Sequence, residues 1–286
     1  MTSRPNRPGG HGPAGAGAPS AERVVAAPNK PRSEATQRWR LVLARRPLEG
    51  GAPQKAWLAS LAAALVEGGL PVSGLDAEPP RPRVTLGAPL PSGVPGEREL
   101  VDVHLARREP AWRVREVVRG ALDDGDALVD CHDVWLGEPP LPGRVTGAVY
   151  RTEFRAEPGD PRLATRLLEA ATAMVEAPTL PRARRKGEAT VSYDLRPFLV
   201  GATVDATPGH GATLRCVLRH DPERGVGRPE EVLGELEDRI GHRLEGSGPV
   251  RERLLLADEL PPRQAEPAPG RGRPPMPRAR SRPGGR

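Results

Sequence analysis

Two of the six histidines, His104 and His132, and both cysteines are the first candidates in this sequence for a side chain that makes or breaks bonds. His104 and His132 each fall in a run that alternates apolar and polar residues, which predicts β-strands. His132 and Asp133 are adjacent, but neighbouring strand residues point to opposite faces, so Asp133 is not placed to orient the His132 imidazole. We therefore expect both histidines to be surface strand residues rather than catalytic bases.

The cysteines are Cys131 and Cys216, which are 85 positions apart. The sequence has no CxxC pair and no cluster of cysteine and histidine, so it predicts no iron–sulfur cluster, no structural zinc site and no cofactor. Cys131 shares its predicted strand face with Val129, which favours a small core residue over a nucleophile. We expect two buried, reduced thiols and assign no catalytic residue.

One dense basic run in the central part of the chain is suited to contact phosphates. In "LPRARRKG", Arg182 and Arg184 would share one face of a strand with Lys186 in line, and Arg185 adds a fourth cation. The same pattern suits a solvated edge strand whose charges prevent aggregation, and the sequence does not decide between the two.

A second candidate anion site is the segment "RHDPERGVGRPEEVL", in which glycines and Arg228 precede a predicted helix. Backbone amides at such a helix start can hold a phosphate. Glu230 and Glu231 at the same helix start oppose an anion, which favours a plain strand-to-helix loop.

The net charge of +6 is carried by the two ends of the chain. Residues 1–37 have a net charge of +3 and residues 261–286 of +6, so residues 38–260 carry −3. The end segments are rich in Pro, Gly, Ala and Arg, which predicts disordered tails that bind polyanions only loosely and at low salt. The longest apolar run, "AWLASLAAALV", is 11 residues, shorter than the ~20 that cross a bilayer. With no hydrophobic signal region at the N-terminus, we expect a cytoplasmic protein without a membrane partner.

Between the tails, apolar periodicity predicts the order β-α-β-β-α-β, followed by a second passage that repeats this order less regularly. In the first passage a strand at Arg38–Arg46 precedes a helix at Gln54–Glu67, two strands that flank a Pro-rich loop, a helix after Pro110 and a strand at Ala127–Leu136. The apolar set of the helix after Pro110 is Trp112, Val114, Val117, Val118 and Leu122.

The second passage opens with a strand at Gly147–Glu157 and a helix for which Asp160 and Pro161 give the start signal. Three strands follow at Ala189–Leu195, Gly201–Ala206 and Thr213–His220, then a helix in "RPEEVLGELEDRIG" and a strand in "VRERLLLAD". We predict an α+β fold of two tandem ferredoxin-like sandwiches, residues 38–140 and 144–260, between disordered tails at 1–37 and 261–286.

Six segments, taken in order, carry a resemblance: "RWRLVLARR", "LVEGGLPV", "PRPRVTLGAPLPSGVPGERELVDVHL", "LPRARRKGE", "YDLRP" and "RHDPERGVGRPEEVL". Together they resemble a bacterial domain-of-unknown-function family associated with radical SAM proteins. The likeness covers Arg38 to Asp258. The residues of its signature loop are Pro82, Arg83, Gly87, Pro89, Pro91, Gly93 and Glu99. We expect this loop to shape a hairpin first, and to bind a ligand only secondarily.

The sequence departs from the family pattern at two places. The family's first helix resembles Phe-Leu-Ser-His-Leu-Asp-Leu, whereas "AWLASLAAAL" has lost the His and Asp, with Ala59 and Ala62 among the replacements. A Tyr-Ser-x-Gly-Phe-x-Pro segment is reduced to "VSGLDAEPPRP", which keeps Ser73 and Gly74 but neither aromatic. If those residues form the family's ligand site, this chain has a weakened form of it.

The resemblance implies a non-catalytic accessory or substrate-presenting module for a radical SAM protein, which would bring its own cluster. RNA is the substrate class implied by analogy with other tandem ferredoxin-like folds. An RNA-cleaving enzyme is the second hypothesis, which the missing first-helix His opposes. A scaffold that retains only protein–protein contacts is the third. The sequence does not predict the oligomeric state.

Overall fold

The computed structural model describes residues 35–48, 53–155, 162–186, 189–207, 211–221 and 223–261. The predicted tails lie almost entirely outside these ranges, as do the helix start signals at Asp160 and Pro161. None of the helices in the described ranges is both long and apolar enough to cross a membrane.

The first half of the described chain has the element order that its periodicity predicts. Its elements are β1 (Gln37–Arg45), α1 (Gln54–Glu67), β2 (Val84–Leu86), β3 (Gly96–Leu105), α2 (Ala111–Ala121) and β4 (Ala127–Val134). A short helix, α3 (Leu141–Arg144), leads into the second half.

The second half contains one hairpin more than the first. Its elements are β5 (Val145–Phe154), α4 (Leu163–Glu176), β6 (Pro181–Lys186), β7 (Ala189–Asp194), β8 (Leu199–Thr207), β9 (Gly211–Asp221), β10 (Gly225–Val226), α5 (Pro229–Ile240) and β11 (Val250–Leu256). Strands β6 and β7 pair only with each other, so the basic run forms one arm of a separate two-stranded sheet.

Nine strands form one sheet in the order β10-β9-β5-β11-β3-β1-β4, with β2 also on β3 and β8 also on β9. Neighbouring strands are antiparallel except β11 and β3, which are parallel and join the two halves at Arg251 and Gly96. The fold is therefore α+β, as predicted, and its large sheet is mostly antiparallel. The predicted halves share this one sheet, and their description as two ferredoxin-like sandwiches stays a prediction.

Two clusters of buried apolar side chains hold the helices against the sheet. In the first, α1 buries Trp57, Leu61 and Leu65, and α2 buries Val114 and Val118. The three- to four-residue spacing puts each set on one helix face, towards the inward side chains of β1 and β3. The second cluster lies among β5, β9, α4 and α5.

The predicted apolar face of α2 is wrong at Trp112, which is 65% exposed. Val114 and Val118 are one turn apart and face the sheet, whereas position 112 is rotated about 200° from position 114 around the helix axis. The indole therefore points to solvent from the first turn of α2.

The predicted shared face of Cys131 and Val129 is also wrong. Cys131 is buried but Val129 is 45% exposed. The register between β1 and β4 shifts between Val42 and Leu43, where β4 passes from Asp130 to Leu128. A bulge inserts one extra residue and breaks the alternation of faces, which the sequence pattern did not reveal.

The Pro-rich loop between β2 and β3 joins the two halves. Its arms pair as the predicted hairpin, since β2 and β3 are antiparallel. Its buried side chains, Ala88, Leu90 and Val94, belong to the second apolar cluster although the loop lies in the first half of the sequence. The hairpin prediction is confirmed. The loop also packs against the apolar cluster of the second half.

A buried ion pair holds this loop in place. The Arg251 guanidinium on β11 donates from Nε to Glu99 Oε1 (2.8 Å) and from Nη2 to Glu99 Oε2. It also donates from Nη1 to the carbonyl of Pro89 (2.8 Å) and from Nη2 to that of Ala88 (3.1 Å). Burial alone would lower the pKa of Arg251, but its hydrogen bonds to Glu99 and the Glu99 charge outweigh burial and raise it.

We predict that Arg251→Ala lowers the free energy of unfolding by about 3–5 kcal/mol, because it leaves the Glu99 carboxylate buried without its cation. Chemical denaturation of the full chain measures this change. Arg253→Ala is the matched control, since Arg253 is half-exposed and pairs with Glu259 at the surface, and its loss should be below about 1 kcal/mol. Equal losses for the two variants would contradict the role of Arg251.

Candidate functional site

The two histidines occupy different environments. His132 is half-exposed, and its Nδ1 lies 3.6 Å from an oxygen of Asp130, two residues earlier on the same strand face. Asp133 points away from that imidazole and accepts a hydrogen bond from Gln37 Nε2 (3.0 Å). These positions agree with the predicted opposite faces of His132 and Asp133.

His104 is half-buried rather than a surface residue, because the segment that leads into β2 covers it. Its backbone N–H donates to the carbonyl of Arg83 (3.0 Å). Burial, with a smaller contribution from the charges of Arg83 and Arg38, lowers the pKa of His104. The imidazole is therefore neutral at physiological pH.

Both cysteines are buried, and neither forms a disulfide. Burial raises the pKa of Cys131 to about 11 and that of Cys216 to about 12. Both thiols are therefore protonated at neutral pH, in the form that is neither nucleophilic nor metal-binding. The expected burial of both thiols is confirmed.

The first residue of the basic row is held by carboxylates. Arg182 donates from Nη1 to Glu235 (3.1 Å) and Asp238 (2.5 Å) and from Nε to Glu231 (3.5 Å), all on α5. Burial alone would lower the pKa of Arg182, but these acids outweigh burial and raise it. A phosphate would have to displace three carboxylates from Arg182. The side chains of Arg184, Arg185 and Lys186 lie outside the described part of the chain, so their phosphate contacts stay a prediction.

The loop before α5 already contains an anion of its own. Asp221 is buried, and its Oδ1 accepts the backbone N–H groups of Glu223 (2.9 Å) and Arg224 (3.1 Å). Arg228 is exposed immediately before α5. The amides that the sequence offers to a phosphate are thus bound to a carboxylate, which favours the plain loop.

The predicted signature residues have mostly structural roles. Glu99 is fully buried against Arg251. A Cβ at Gly87 would lie 3.0 Å from Leu254 and 3.3 Å from Val145, so the loop enters the second core closely. Gly93 has φ of 74°, which L side chains rarely adopt. The remaining signature residues are Arg83, Pro89 and Pro91, which lie along the loop, and Pro82, which lines a groove.

This groove, the α1 groove, lies between one face of α1 and the segment that leads into β2. Its volume is about 420 Å³, and its lining is mostly apolar. The lining residues are Lys55, Leu58, Ala59, Ala62, Ala63, Val66 and Glu67 from α1, with Leu75, Pro82 and Val84 from the following segment. Its volume is within the range of about 300–1,000 Å³ that is typical of ligand sites.

Helix α1 carries a second apolar stripe beside the one that packs on the sheet. Leu58, Ala62 and Val66 recur at four-residue spacing and face the α1 groove. The alanines leave space where longer side chains would fill it. Lys55 and Glu67 close the two ends with opposite charges, about 18 Å apart along the helix.

Both departures from the resembled family pattern lie at this groove. Ala59 and Ala62, among the replacements in the first helix, line it. Leu75, which directly follows the retained Ser73 and Gly74, lines it from the other side and is 39% exposed. The sequence analysis located these positions separately, but it did not place them together. The double stripe on α1 was the signal that could have done so.

Sequence reasoning also missed two exposed indoles. Trp112, in the first turn of α2, and Trp135, directly after β4, expose most of their surface. The periodicity of α2 could have revealed Trp112, because Val114 and Val118 define the buried face without it.

The chain was compared with known proteins. The family described as "Uncharacterized protein conserved in bacteria (DUF2344)" matches residues 79–226, from the segment before β2 to β10. No curated protein matches the chain. Among solved structures, 36 chains match. One is titled "Crystal Structure of a Cbf5-Nop10-Gar1 Complex", with 10% identity and a TM-score of 0.37, and the match covers 75% of this chain and 49% of that one.

We predict that Arg182→Ala destabilises the protein by about 1–3 kcal/mol, because three α5 carboxylates are left without their shared cation. Denaturant unfolding of the full chain gives the value. Arg215→Ala is the comparison, since Arg215 also pairs with two carboxylates but lies 42% exposed on the sheet. An Arg182 variant as stable as wild type would show that the side chain is available to a ligand.

Proposed function

The chain belongs to the DUF2344 family of conserved bacterial proteins, and from this premise we propose that it is a non-catalytic binding module that receives an apolar helix of a partner protein in the α1 groove. The observation that carries the proposal is the groove itself, a mostly apolar cleft between one face of α1 and the segment that leads into β2. An amphipathic helix that lays its apolar face into a groove is a recurrent mode of recognition.

The shape of the α1 groove determines the length and the side chains of the partner segment that it can bind. Its small alanines admit larger apolar side chains from a helix of about 12 residues, the length that spans Lys55 to Glu67. The opposite charges at the two ends would orient that helix, because its own acidic and basic ends would each meet an opposite charge.

We propose a radical SAM protein as the partner. This part of the proposal rests on the resemblance of the ordered sequence segments and not on the groove. The chemistry would then belong to the partner, and this chain would hold or present a substrate. The buried thiols and the neutral, half-buried His104 fit a role in which this chain does not react.

The finer fold description belongs to the same proposal. The strands of the first half lie in the order β4-β1-β3-β2, and those of the second in the order β11-β5-β9-β8. The equivalent order supports two ferredoxin-like units, the second of which carries the β6–β7 hairpin as an insertion.

We predict that Ala59→Glu weakens binding of the purified radical SAM partner about tenfold or more, because a carboxylate would be desolvated in an apolar groove. Isothermal titration with the full chain measures the affinity. Ser60→Glu is the matched control, since it adds the same charge to the next exposed position of α1 but outside the groove lining.

A dye separates the groove from the identity of its partner. The hydrophobic dye anilinonaphthalene sulfonate should fluoresce with the wild-type chain and with Ser60→Glu, and less with Ala59→Glu. Equal dye and partner binding by all three proteins would reject the groove. Dye binding that depends on Ala59, without any binding of the radical SAM protein, would reject only that partner.

A further inference from the structure

Two of the four tryptophans lie in the solvent, at 65% (Trp112) and 78% (Trp135) exposure, whereas Trp39 and Trp57 are buried. An exposed indole leaves a large apolar surface in water, and tryptophan is enriched where proteins bind other molecules. Their position does not overlap the lining of the α1 groove.

Both indoles lie at the same end of the first half. Strand β4 ends one residue before Trp135, and α2 begins one residue before Trp112. Contacts tie these two ends together: Arg108 Nη2 lies 3.7 Å from Asp133, and Gln37 bonds to Asp133 through Nε2 and to the Glu109 N–H through Oε1.

The Trp135 ring lies against Gly137. A Cβ added to this glycine would be 2.5 Å from the ring atom Cζ2. Any side chain at position 137 would push the indole away. The ring therefore lies close to backbone while most of its surface stays open to a stacking partner.

Exposed arginines lie near Trp112 in the chain. Arg107 and Arg108 expose 67% and 75% of their side chains, in the loop that precedes Trp112, and Arg107 Nε donates to Glu109 Oε1 (3.0 Å). Arg119 is exposed seven residues after Trp112, on the same face of α2. Arg108 reaches its carboxylate only at 3.7 Å, a long ion pair in water that costs little to exchange.

The arginines of the sheet offer a contrast. Arg151 is held by Glu97 (2.5 Å) and Glu252 (3.0 Å), and Arg215 by Asp205 (2.9 Å) and Glu252 (3.0 Å). Their charge is neutralised by close partners. The exposed indoles and the loosely held guanidinium group of Arg108 occur together at the Trp112–Trp135 end.

We propose that Trp112 and Trp135 form a stacking surface for single-stranded nucleic acid, whose phosphates contact Arg108 and Arg119. Every base has a π-face, so stacking on indoles tolerates any sequence, and arginines along the path bind the backbone. The inference goes beyond the proposed function, because it concerns a different surface and a different class of ligand, and it does not depend on the α1 groove.

Indole fluorescence of the full chain tests the proposal, with an oligouridylate of about ten nucleotides as the probe. Stacking should quench the exposed indoles, while the buried Trp39 and Trp57 give a constant background. The basic end segments of the sequence would bind the same probe through phosphates alone, without quenching and only at low salt.

We predict that Trp135→Ala weakens oligonucleotide binding about tenfold and removes part of the quenching. Trp135→Phe should retain part of the affinity, because it keeps an aromatic ring. Leu168→Ala, at an apolar side chain of α4 that is 47% exposed, is the control and should bind like wild type.

Three outcomes would overturn the proposal. Binding without quenching that disappears at high salt would place the nucleic acid on the basic end segments. Equal affinity of Trp135→Ala and wild type would remove the indoles from the contact. A Trp135→Ala chain that keeps nucleic-acid binding but loses the protein partner would make this surface a protein contact.

Discussion

The ion pair between Arg251 and Glu99 is the interaction on which the arrangement of the two halves depends. Arg251 stands where β11 meets β3, the one parallel junction of the sheet. Its guanidinium also holds the carbonyls of Ala88 and Pro89, so one side chain fixes a strand junction and a loop from the other half. A second buried ion cluster, Arg38 and Arg40 with Asp102, lies on β1 and β3. Buried ion pairs contribute little net stability but penalise arrangements that would leave a charge unpaired.

The position of the α1 groove follows from this junction. The loop that Arg251 holds is tied to the start of α1, because Gln54 Nε2 donates to the carbonyl of Leu90 (3.1 Å). The same Gln54 accepts from Arg45 Nη1 (3.1 Å), and the Arg45 guanidinium lies 3.3 Å above the Trp57 ring. Helix α1 is therefore fixed at its first turn by contacts that lead back to the buried pair. A groove held in this way is formed before a partner arrives, which reduces the ordering cost of binding.

The elements were predictable where periodicity is strong, and long-range pairing was not. The spacing of Leu58, Leu61, Ala62 and Leu65 was enough to predict α1, and the last three of these are buried. Nothing local in the sequence connects Glu99 with Arg251, which are 152 positions apart. The exposure of Val129 depends on a bulge set by the pairing of β4 with β1. The α1 groove combines residues of a helix and of a loop, each of which looks ordinary by itself. These features depend on contacts between residues that are distant in the sequence. The local pattern of residue types does not encode such contacts.

The α1 groove and Trp112 of the Trp112–Trp135 surface belong to helices that are in contact with each other. Arg113, next to Trp112, reaches from α2 to the carbonyl of Gly69, just beyond α1 (3.4 Å). Glu67 closes the groove two residues earlier. A partner helix in the groove and a strand of nucleic acid on the indoles would therefore lie on the same half of the protein. A module that presents a substrate to a partner needs both sites within reach of the partner's reactive centre. The second half is joined to the first through Arg251. Its main role would then be to fix the loop that positions α1.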